Sequence, residues 1–194
     1  MRDRWLFAGL FALGPAVLGG WLLSQTAVHA AEDGPGPNLV IEVEGKAQGR
    51  VVIDLLPDLA PKAAERLVTL AEQGAYDGVV FHRVLDGFMA QTGDVQFGKS
   101  GGGGMAGRGG SDLPDLPAEF TDTPFARGTV GMARSRSPDS ANSQFFIMFA
   151  PAPHLNGDYT VVGRVIAGME VVDAITRGEP PRSPDRMAKV TVER

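Results

Sequence analysis

The stretch Phe81–Asp94, with the sequence FHRVLDGFMAQTGD, decides how the middle of this chain folds. Its central dipeptide Asp86-Gly87 is typical of a two-residue hairpin loop, whose positive φ angles suit aspartate and glycine. Apolar and β-branched residues lie on both sides of the dipeptide. The stretch therefore predicts a hairpin of two antiparallel strands, Val79–Leu85 and Phe88–Asp94.

Strand patterns recur on both sides of this hairpin. Alternating or β-branched apolar residues predict six further strands, at Asn38–Glu44, Gly49–Leu55, Thr129–Ala133, Gln144–Phe149, Thr160–Val165 and Ala188–Glu193. Apolar residues at helical spacing predict two helices, Asp58–Gln73 and Met169–Thr176. Helices at separated places among antiparallel strands suit a small barrel better than a parallel sheet. We therefore predict a mainly β fold, a closed eight-stranded antiparallel β-barrel capped by two α-helices.

Composition narrows the class of protein. The 194 residues are 43% hydrophobic and 21% charged, which is typical of one soluble globular domain. The formal net charge is −5, and nucleic-acid binding normally needs a basic surface, so we expect no nucleic-acid partner. The sequence holds no cysteine, which excludes disulfides, thiolate nucleophiles and thiolate metal sites. No spacing of His, Asp or Glu suggests another metal site, so we predict no metal.

The first 30 residues have the pattern of a targeting segment. Two arginines precede the uncharged run Trp5–Leu23, and small residues follow at Val28 and Ala30. This pattern predicts a cleaved signal peptide, although 19 apolar residues could also form a membrane anchor. We expect a periplasmic domain over residues 38–194 after a polar linker at 31–37. The alternative is a domain anchored to the inner membrane and facing the periplasm.

A glycine-rich segment follows the central hairpin. Gly93–Ser100 matches the phosphate-binding loop of nucleotide hydrolases, but that loop must open a helix, and glycines follow Ser100. The match is therefore a poor guide to function. The composition of Gly98–Gly110 predicts a flexible loop, to whose single glycines we assign no binding role.

Several blocks of the sequence resemble one enzyme family. The central stretch FHRV…GFMAQ…GD is similar to a signature of the cyclophilins, which are peptidyl-prolyl cis/trans isomerases. Four more blocks agree with that family in order and spacing: Pro61–Glu65, Gly128–Ala133, Ser143–Ile147 and Leu155–Gly163. The resemblance spans about residues 39–192 and implies an eight-stranded barrel with two helices, the architecture expected above.

The resemblance implies an isomerase that uses no cofactor. Rotation about an X-Pro bond opposes amide resonance but breaks no bond, so catalysis needs only groups that bind the twisted amide best. By resemblance Arg83 is the catalytic residue, donating a hydrogen bond toward the prolyl nitrogen, and Gln91 orients Arg83 and touches the substrate. The expected partners are proline-containing polypeptides, and we expect a monomer.

The resemblance also implies a substrate groove. Its expected lining consists of an apolar proline pocket and groups that hold the peptide main chain: Phe88, Met89, Phe146 and Leu155 for the pocket, and Ala133, Arg134 and Gln144 for the main chain, with Tyr159 nearby. The chain carries His154 where many eukaryotic members have tryptophan, Tyr159 where they have a pocket histidine, and Arg134 where asparagine is common. The first two changes predict weak cyclosporin binding. A non-catalytic module or holdase chaperone that grips proline segments is the alternative function.

Overall fold

The computed structural model describes residues 32–99 and 104–194. These residues form nine β-strands, two α-helices and a short 3-10 turn at Pro153–Leu155. The strands are β1 Asn38–Glu44, β2 Gly49–Leu55, β3 Val79–Val80, β4 Arg83–Leu85, β5 Met89–Thr92, β6 Thr129–Met132, β7 Phe145–Met148, β8 Val161–Ala167 and β9 Arg186–Glu193. The helices are α1 Pro61–Glu72 and α2 Met169–Ala174.

All described strand pairs are antiparallel and belong to one sheet, in the order β3-β9-β1-β2-β8-β6-β7-β5-β4. The two edge strands, β3 and β4, are separated along the chain only by Phe81 and His82. The sheet therefore curls until its first and last strands are joined by that dipeptide. This confirms the mainly β, antiparallel, two-helix architecture expected from the sequence.

The sheet differs in two details from the expected closed eight-stranded barrel: it has nine described strands, and its edge strands β3 and β4 are not paired with each other in the described residues. The predicted strand Val79–Leu85 is divided, because its first part pairs with β9 and its last part pairs with β5. The Phe81 N–H still follows the β9 register and donates to the Asp185 carbonyl at 2.9 Å, and pairing with β5 begins two residues later at Arg83. One segment thus serves both edges of the sheet, which a single straight strand could not do.

Helix α1 is shorter than predicted, and its ends have local causes. Pro61 occupies the first turn, where its fixed φ suits a helix and its missing N–H costs nothing. Gly74 ends the helix with a φ of 65°, the left-handed geometry that glycine tolerates best. The buried face of α1 packs into the main core and includes Ala64, Leu67 and Ala71, as its periodicity predicted.

The described part of the segment before β1 lies against the barrel. The Pro37 carbonyl accepts a hydrogen bond from the Leu55 N–H at 3.1 Å, and the Arg164 side chain donates to the Glu32 carbonyl at 2.6 Å. Arg164 also pairs with the buried carboxylate of Asp54 at 3.0 Å. The predicted signal peptide or anchor, residues 1–30, lies outside the described residues. In the described ranges, no helix is long and apolar enough to cross a membrane.

Candidate active site

Strand alternation creates a second apolar cluster outside the main core. On β5, Ala90 faces the main core and Met89 faces the opposite way; on β7, Ile147 faces the main core and Phe146 faces the opposite way. This follows from the two-residue side-chain period of a strand. The outward-facing residues join side chains from the loops in one cluster: Met89, Phe125, Phe146, Met148, Ala152, Leu155 and Val161.

An apolar cup of about 330 Å³ lies on this second cluster. Its apolar lining comes from the predicted pocket residues Phe88, Met89, Phe146 and Leu155, together with the ring of Tyr159. Phe125 supports the cup from below and stacks on Phe146, with ring centroids 5.7 Å apart. At the rim, His154 lies 5.7 Å from Phe88 between ring centroids. The cup is preformed, because its walls are packed side chains.

Arg83 of β4 is one of the residues that line this cup. Arg83 points outward because the next residue, Val84, faces the main core. Its Nε donates to Glu179 Oε1 at 2.6 Å, and its side chain is 35% exposed. Gln91 lies directly opposite on β5, but its amide Nε2 donates to Gln144 Oε1 at 2.9 Å. The expected orientation of Arg83 by Gln91 therefore stays a prediction, and the structure adds Glu179 as a partner.

A polar wall continues the groove beyond the cup. Gln144 Nε2 donates to the carbonyls of Gly107 and Gly109 at 3.1 and 2.7 Å, while its Oε1 accepts from Gln91. Both ends of the Gln144 amide are therefore engaged within the protein, and its contact with a substrate main chain stays a prediction. The Ala133 N–H likewise donates to the Gln144 carbonyl at 2.9 Å.

Asp94 fixes the described part of the glycine-rich segment. Its buried carboxylate accepts four backbone N–H bonds of 2.7 to 3.1 Å, from Gln96, Phe97, Gly107 and Gly109. The expectation of a flexible loop is therefore wrong for Gly107–Gly110, which forms one side of a cavity of about 420 Å³. The same carboxylate occupies amides that a phosphate-binding loop would offer to its ligand, in agreement with the rejection of that motif.

His82 lies beneath this wall, between Phe81 and Arg83. The side chain is buried, and its Cδ2 lies 2.8 Å from where a Cβ on Gly107 would be. Burial lowers the pKa of His82 below the ordinary 6.5, and the nearby Asp94 carboxylate offsets part of that effect. The imidazole is therefore neutral near pH 7.

Arg134 lies where the two cavities meet and lines both of them. Its guanidinium stacks on the Tyr159 ring at 4.3 Å and donates to the carbonyls of Asp158 and Ser135 at 2.9 to 3.1 Å. In the described part of the chain, its charge meets carbonyls and an aromatic face rather than a carboxylate within 4 Å. Arg134 therefore presents a fixed positive group at the middle of the groove.

The structure brings all ten predicted site residues to these two adjoining cavities. Nine line the apolar cup, and the tenth, Gln144, lines the neighbouring cavity, which shares Gln91, Ala133 and Arg134 with the cup. Sequence reasoning missed Phe125, Glu179 and the wall at Gly107–Gly110. Phe125 follows a polar stretch without strand periodicity, and its place is fixed by long-range contacts, among them the stacking on Phe146 and its N–H bond to Asn156 Oδ1, 2.9 Å long.

The site is thus an outward-facing groove on a curled antiparallel sheet, with an apolar cup beside an arginine. Residues 39–193 match the model of the cyclophilin type peptidyl-prolyl cis-trans isomerase family. A Brucella suis protein named "Probable peptidyl-prolyl cis-trans isomerase" is 52% identical over 179 residues, which are 88% of this chain and 90% of that protein. The chain belongs to the cyclophilin-type peptidyl-prolyl cis-trans isomerase family.

More distant relatives agree with this assignment. A peptidyl-prolyl cis-trans isomerase of Arabidopsis thaliana is 38% identical and covers 74% of this chain and 90% of its own length. A cyclophilin type isomerase of Cryptosporidium parvum, crystallised in the presence of the dipeptide Ala-Pro, is 25% identical with a TM-score of 0.70. That match covers 81% of this chain and 99% of the solved one. The expected isomerase class is thereby confirmed.

Proposed function

We propose that the groove of this chain catalyses rotation about X-Pro bonds with Arg83 as the catalytic residue. One observation carries the proposal: Arg83 lines the same cup of about 330 Å³ as Phe88, Met89 and Phe146. A prolyl ring seated among these apolar side chains would bring its amide within reach of a fixed donor. The cup holds the ring while the part of the peptide before proline turns.

The chemistry requires no covalent step. In the planar amide, the nitrogen lone pair is delocalised into the carbonyl, and the barrier to rotation is about 18–20 kcal/mol. In the twisted amide the lone pair returns to nitrogen, which then accepts a hydrogen bond that the planar form cannot accept well. An Arg83 N–H directed at that nitrogen binds the twisted form better than either planar isomer and so lowers the barrier.

The polar half of the groove supplies main-chain contacts in this proposal. The Ala133 and Arg134 backbone and the Gln91 side chain lie between the cup and the glycine wall. Peptide groups next to the proline would hydrogen-bond there, and binding energy from these contacts would hold the X-Pro bond in register with Arg83. The cation of Arg134 would favour substrates with acidic side chains near the proline.

The test is the cis/trans exchange rate of a short X-Pro peptide, measured by NMR with the purified protein and with Arg83→Ala. We expect the variant to lose at least about 100-fold in kcat/KM, in the range typical of a missing catalytic donor. Arg50→Ala is the matched control, because Arg50 is also exposed and paired to a glutamate but lies on β2, away from both cavities. An Arg83→Ala variant as active as the control would overturn the proposal.

The same experiment separates catalysis from simple binding. A folded protein that binds the peptide, as shown by chemical-shift changes in the cup, but does not accelerate exchange would be a proline-binding module or holdase. The position of Arg83 at the cup favours an enzyme over a binding module, because a module that only binds proline segments would need the apolar side chains but not the arginine.

We further propose that the domain works outside the cytoplasm on exported proteins, as a monomer. The charge and hydropathy pattern of residues 1–30 supports this proposal. N-terminal sequencing of the protein from fractionated cells tests it. A periplasmic chain that begins near Ala31 would support a cleaved signal, and a membrane-bound chain that keeps Met1 would support an anchor. A cytoplasmic full-length chain would overturn the proposed export.

The proposed monomer has a separate test, the molecular mass measured by analytical ultracentrifugation. A mass of two or more chains would overturn it.

A further inference from the structure

The segment Thr176–Pro181, after helix α2, runs alongside strand β4. Gly178 exchanges two backbone hydrogen bonds with Val84, of 2.8 and 2.9 Å, in antiparallel register. In such register the residue after Gly178 lies beside the residue before Val84. The backbone pairing therefore places Glu179 next to Arg83.

The residues before Gly178 hold the segment in this position. The Arg177 guanidinium stacks on the Phe149 ring at 4.2 Å and pairs with Asp86 at 3.1 Å. The Thr176 N–H donates to the buried Asp185 carboxylate at 2.6 Å. Glu179 is thus carried by a fixed backbone rather than by a free loop.

Glu179 contacts Arg83 at one defined atom. Its Oε1 accepts a hydrogen bond from Arg83 Nε at 2.6 Å, short even for a charge-assisted bond. A guanidinium is a planar fork with five N–H donors, one at Nε and four at its two Nη atoms. The bond to Glu179 uses the Nε–H, so the four Nη–H groups remain as donors. A bond at Nε therefore fixes the plane of the fork without using its terminal donors.

We infer that Glu179 is a positioning residue for Arg83, which holds the guanidinium at the angle from which it donates to the prolyl amide. The inference rests on the proposed catalytic role of Arg83. A free arginine side chain samples many rotamers, and each rotamer carries the donors to a different place. The Glu179 carboxylate removes most of this freedom before the substrate arrives. The same negative charge does not abolish donation, because the bond engages Nε and leaves Nη free.

The main test compares Glu179→Ala with Glu179→Gln in the NMR exchange assay on the full chain. We expect Glu179→Ala to lower kcat/KM by about fivefold to tenfold, because the fork becomes mobile. Glu179→Gln keeps an oxygen acceptor at the same reach, and we expect it to recover kcat/KM to within about threefold of the wild type. Glu193→Gln is the matched control, since Glu193 is 57% exposed against 56% for Glu179 and also pairs with an arginine.

Three outcomes would overturn the inference. Activity of Glu179→Ala equal to that of Glu193→Gln would show that Arg83 needs no positioning. Faster turnover by both Glu179 variants would show that the carboxylate competes with the substrate for Arg83. Equal loss in Glu179→Gln and Glu179→Ala would show that charge, rather than the hydrogen bond, matters.

A spectroscopic measurement reports the positioning directly. The Arg83 Nε–H resonance, assigned by its loss in Arg83→Ala, should be shifted downfield and exchange slowly in the wild type and in Glu193→Gln. It should move to the exposed-arginine position in Glu179→Ala. An unshifted, rapidly exchanging wild-type signal would overturn the inference even if Glu179→Ala were impaired.

A double-mutant cycle links the two residues. Lysine carries no planar fork, so in an Arg83→Lys background the change Glu179→Ala should alter kcat/KM by less than about twofold. A tenfold effect in that background would overturn the inference. A wild-type protein without activity would overturn the proposed function itself, whereas an active wild type, an inactive Arg83→Ala and an unaffected Glu179→Ala would overturn this inference alone.

Discussion

The two halves of the groove are built in different ways. The apolar cup rests on a packed cluster in which Phe125 stacks on Phe146, with ring centroids 5.7 Å apart, and Tyr159 meets both rings edge-on. The polar wall rests on hydrogen bonds, which converge on the carboxylate of Asp94 and the amide of Gln144.

This difference determines which kind of substitution destabilises each half of the groove. Packing energy is spread over many small contacts, so the cup depends mainly on filled volume. The residues of Gly107–Gly110 carry no apolar side chain, and hydrogen bonds to a few donors and acceptors hold this segment in place. We therefore expect large apolar truncations to damage the cup and single polar substitutions to damage the wall.

The largest expected effect is that of Phe125→Ala, which would break the cup and leave the wall intact. Phe125 is almost fully buried, and removing a core phenylalanine ring lowers the free energy of unfolding by about 3–5 kcal/mol. Urea unfolding measures this loss. Leu113→Ala, at an exposed position, serves as the control, with an expected cost below about 1 kcal/mol. A cost for Phe125→Ala near that of the control would contradict a cup held by packing.

The substitution Asp94→Asn should break the wall and leave the cup intact. One of the two carboxylate oxygens would become an NH2 group, which would face the N–H groups either of Gly107 and Gly109 or of Gln96 and Phe97. We expect a loss of about 2–3 kcal/mol in the free energy of unfolding, because two buried donors lose their acceptor in either orientation. Hydrogen exchange should become faster at one of these two pairs of amides. Asp86→Asn, in the exposed hairpin turn, should change neither measurement appreciably, and unchanged exchange in Asp94→Asn would refute the dependence on Asp94.

A matched pair of glycines sharpens the comparison within the wall. Gly104 and Gly107 have φ angles of 78° and 95°, so alanine is strained at both. At Gly107 the new Cβ would meet His82 at 2.8 Å, whereas at Gly104 none of the residues that the structure describes lies within 4 Å. We expect Gly107→Ala to cost about 1 kcal/mol more than Gly104→Ala in thermal or urea unfolding. Equal losses of unfolding free energy in the two variants would mean that the backbone at Gly107 can move away from His82 at no cost.

The smallest expected effect concerns pH. Because burial lowers the folded-state pKa of His82, the unfolded chain takes up a proton below about pH 6.5 while the folded chain does not. The unfolded state then binds more protons, so the free energy of unfolding falls as the pH falls from 6.5 toward the folded-state pKa. His82→Gln should reduce this slope, measured by urea unfolding at a series of pH values. A slope that His82→Gln does not change would refute the assignment.

Much of the fold and most of the site could be predicted from the sequence. Short-range patterns in the sequence predict the hairpin around Asp86-Gly87, the six strands on either side of it and both helices. The family resemblance predicts the residues of the cup. The division of Val79–Leu85 could not be predicted, because it depends on two partners at opposite edges of the sheet.

The parts of the site that were missed are long-range contacts made by loops. Glu179 is 96 residues from Arg83, and its neighbours in the sequence indicate only a turn. The order of the glycine wall depends on Asp94, which accepts hydrogen bonds from residues up to 15 positions away. Composition alone indicates flexibility there, since glycine carries no side chain that could show where the backbone is held.

The pairing of the first strand with the last has a consequence for how the protein is made. Strand β1 lies between β2 and β9, so half of its backbone partners belong to residues 186–193. Until the ribosome has added those residues, a nascent chain can form local hairpins but cannot close the barrel. Completion therefore waits until residues 186–193 have been synthesised. If the protein is secreted through a channel that admits only unfolded polypeptide, this delay keeps the chain from folding completely, so that it can still pass through the channel.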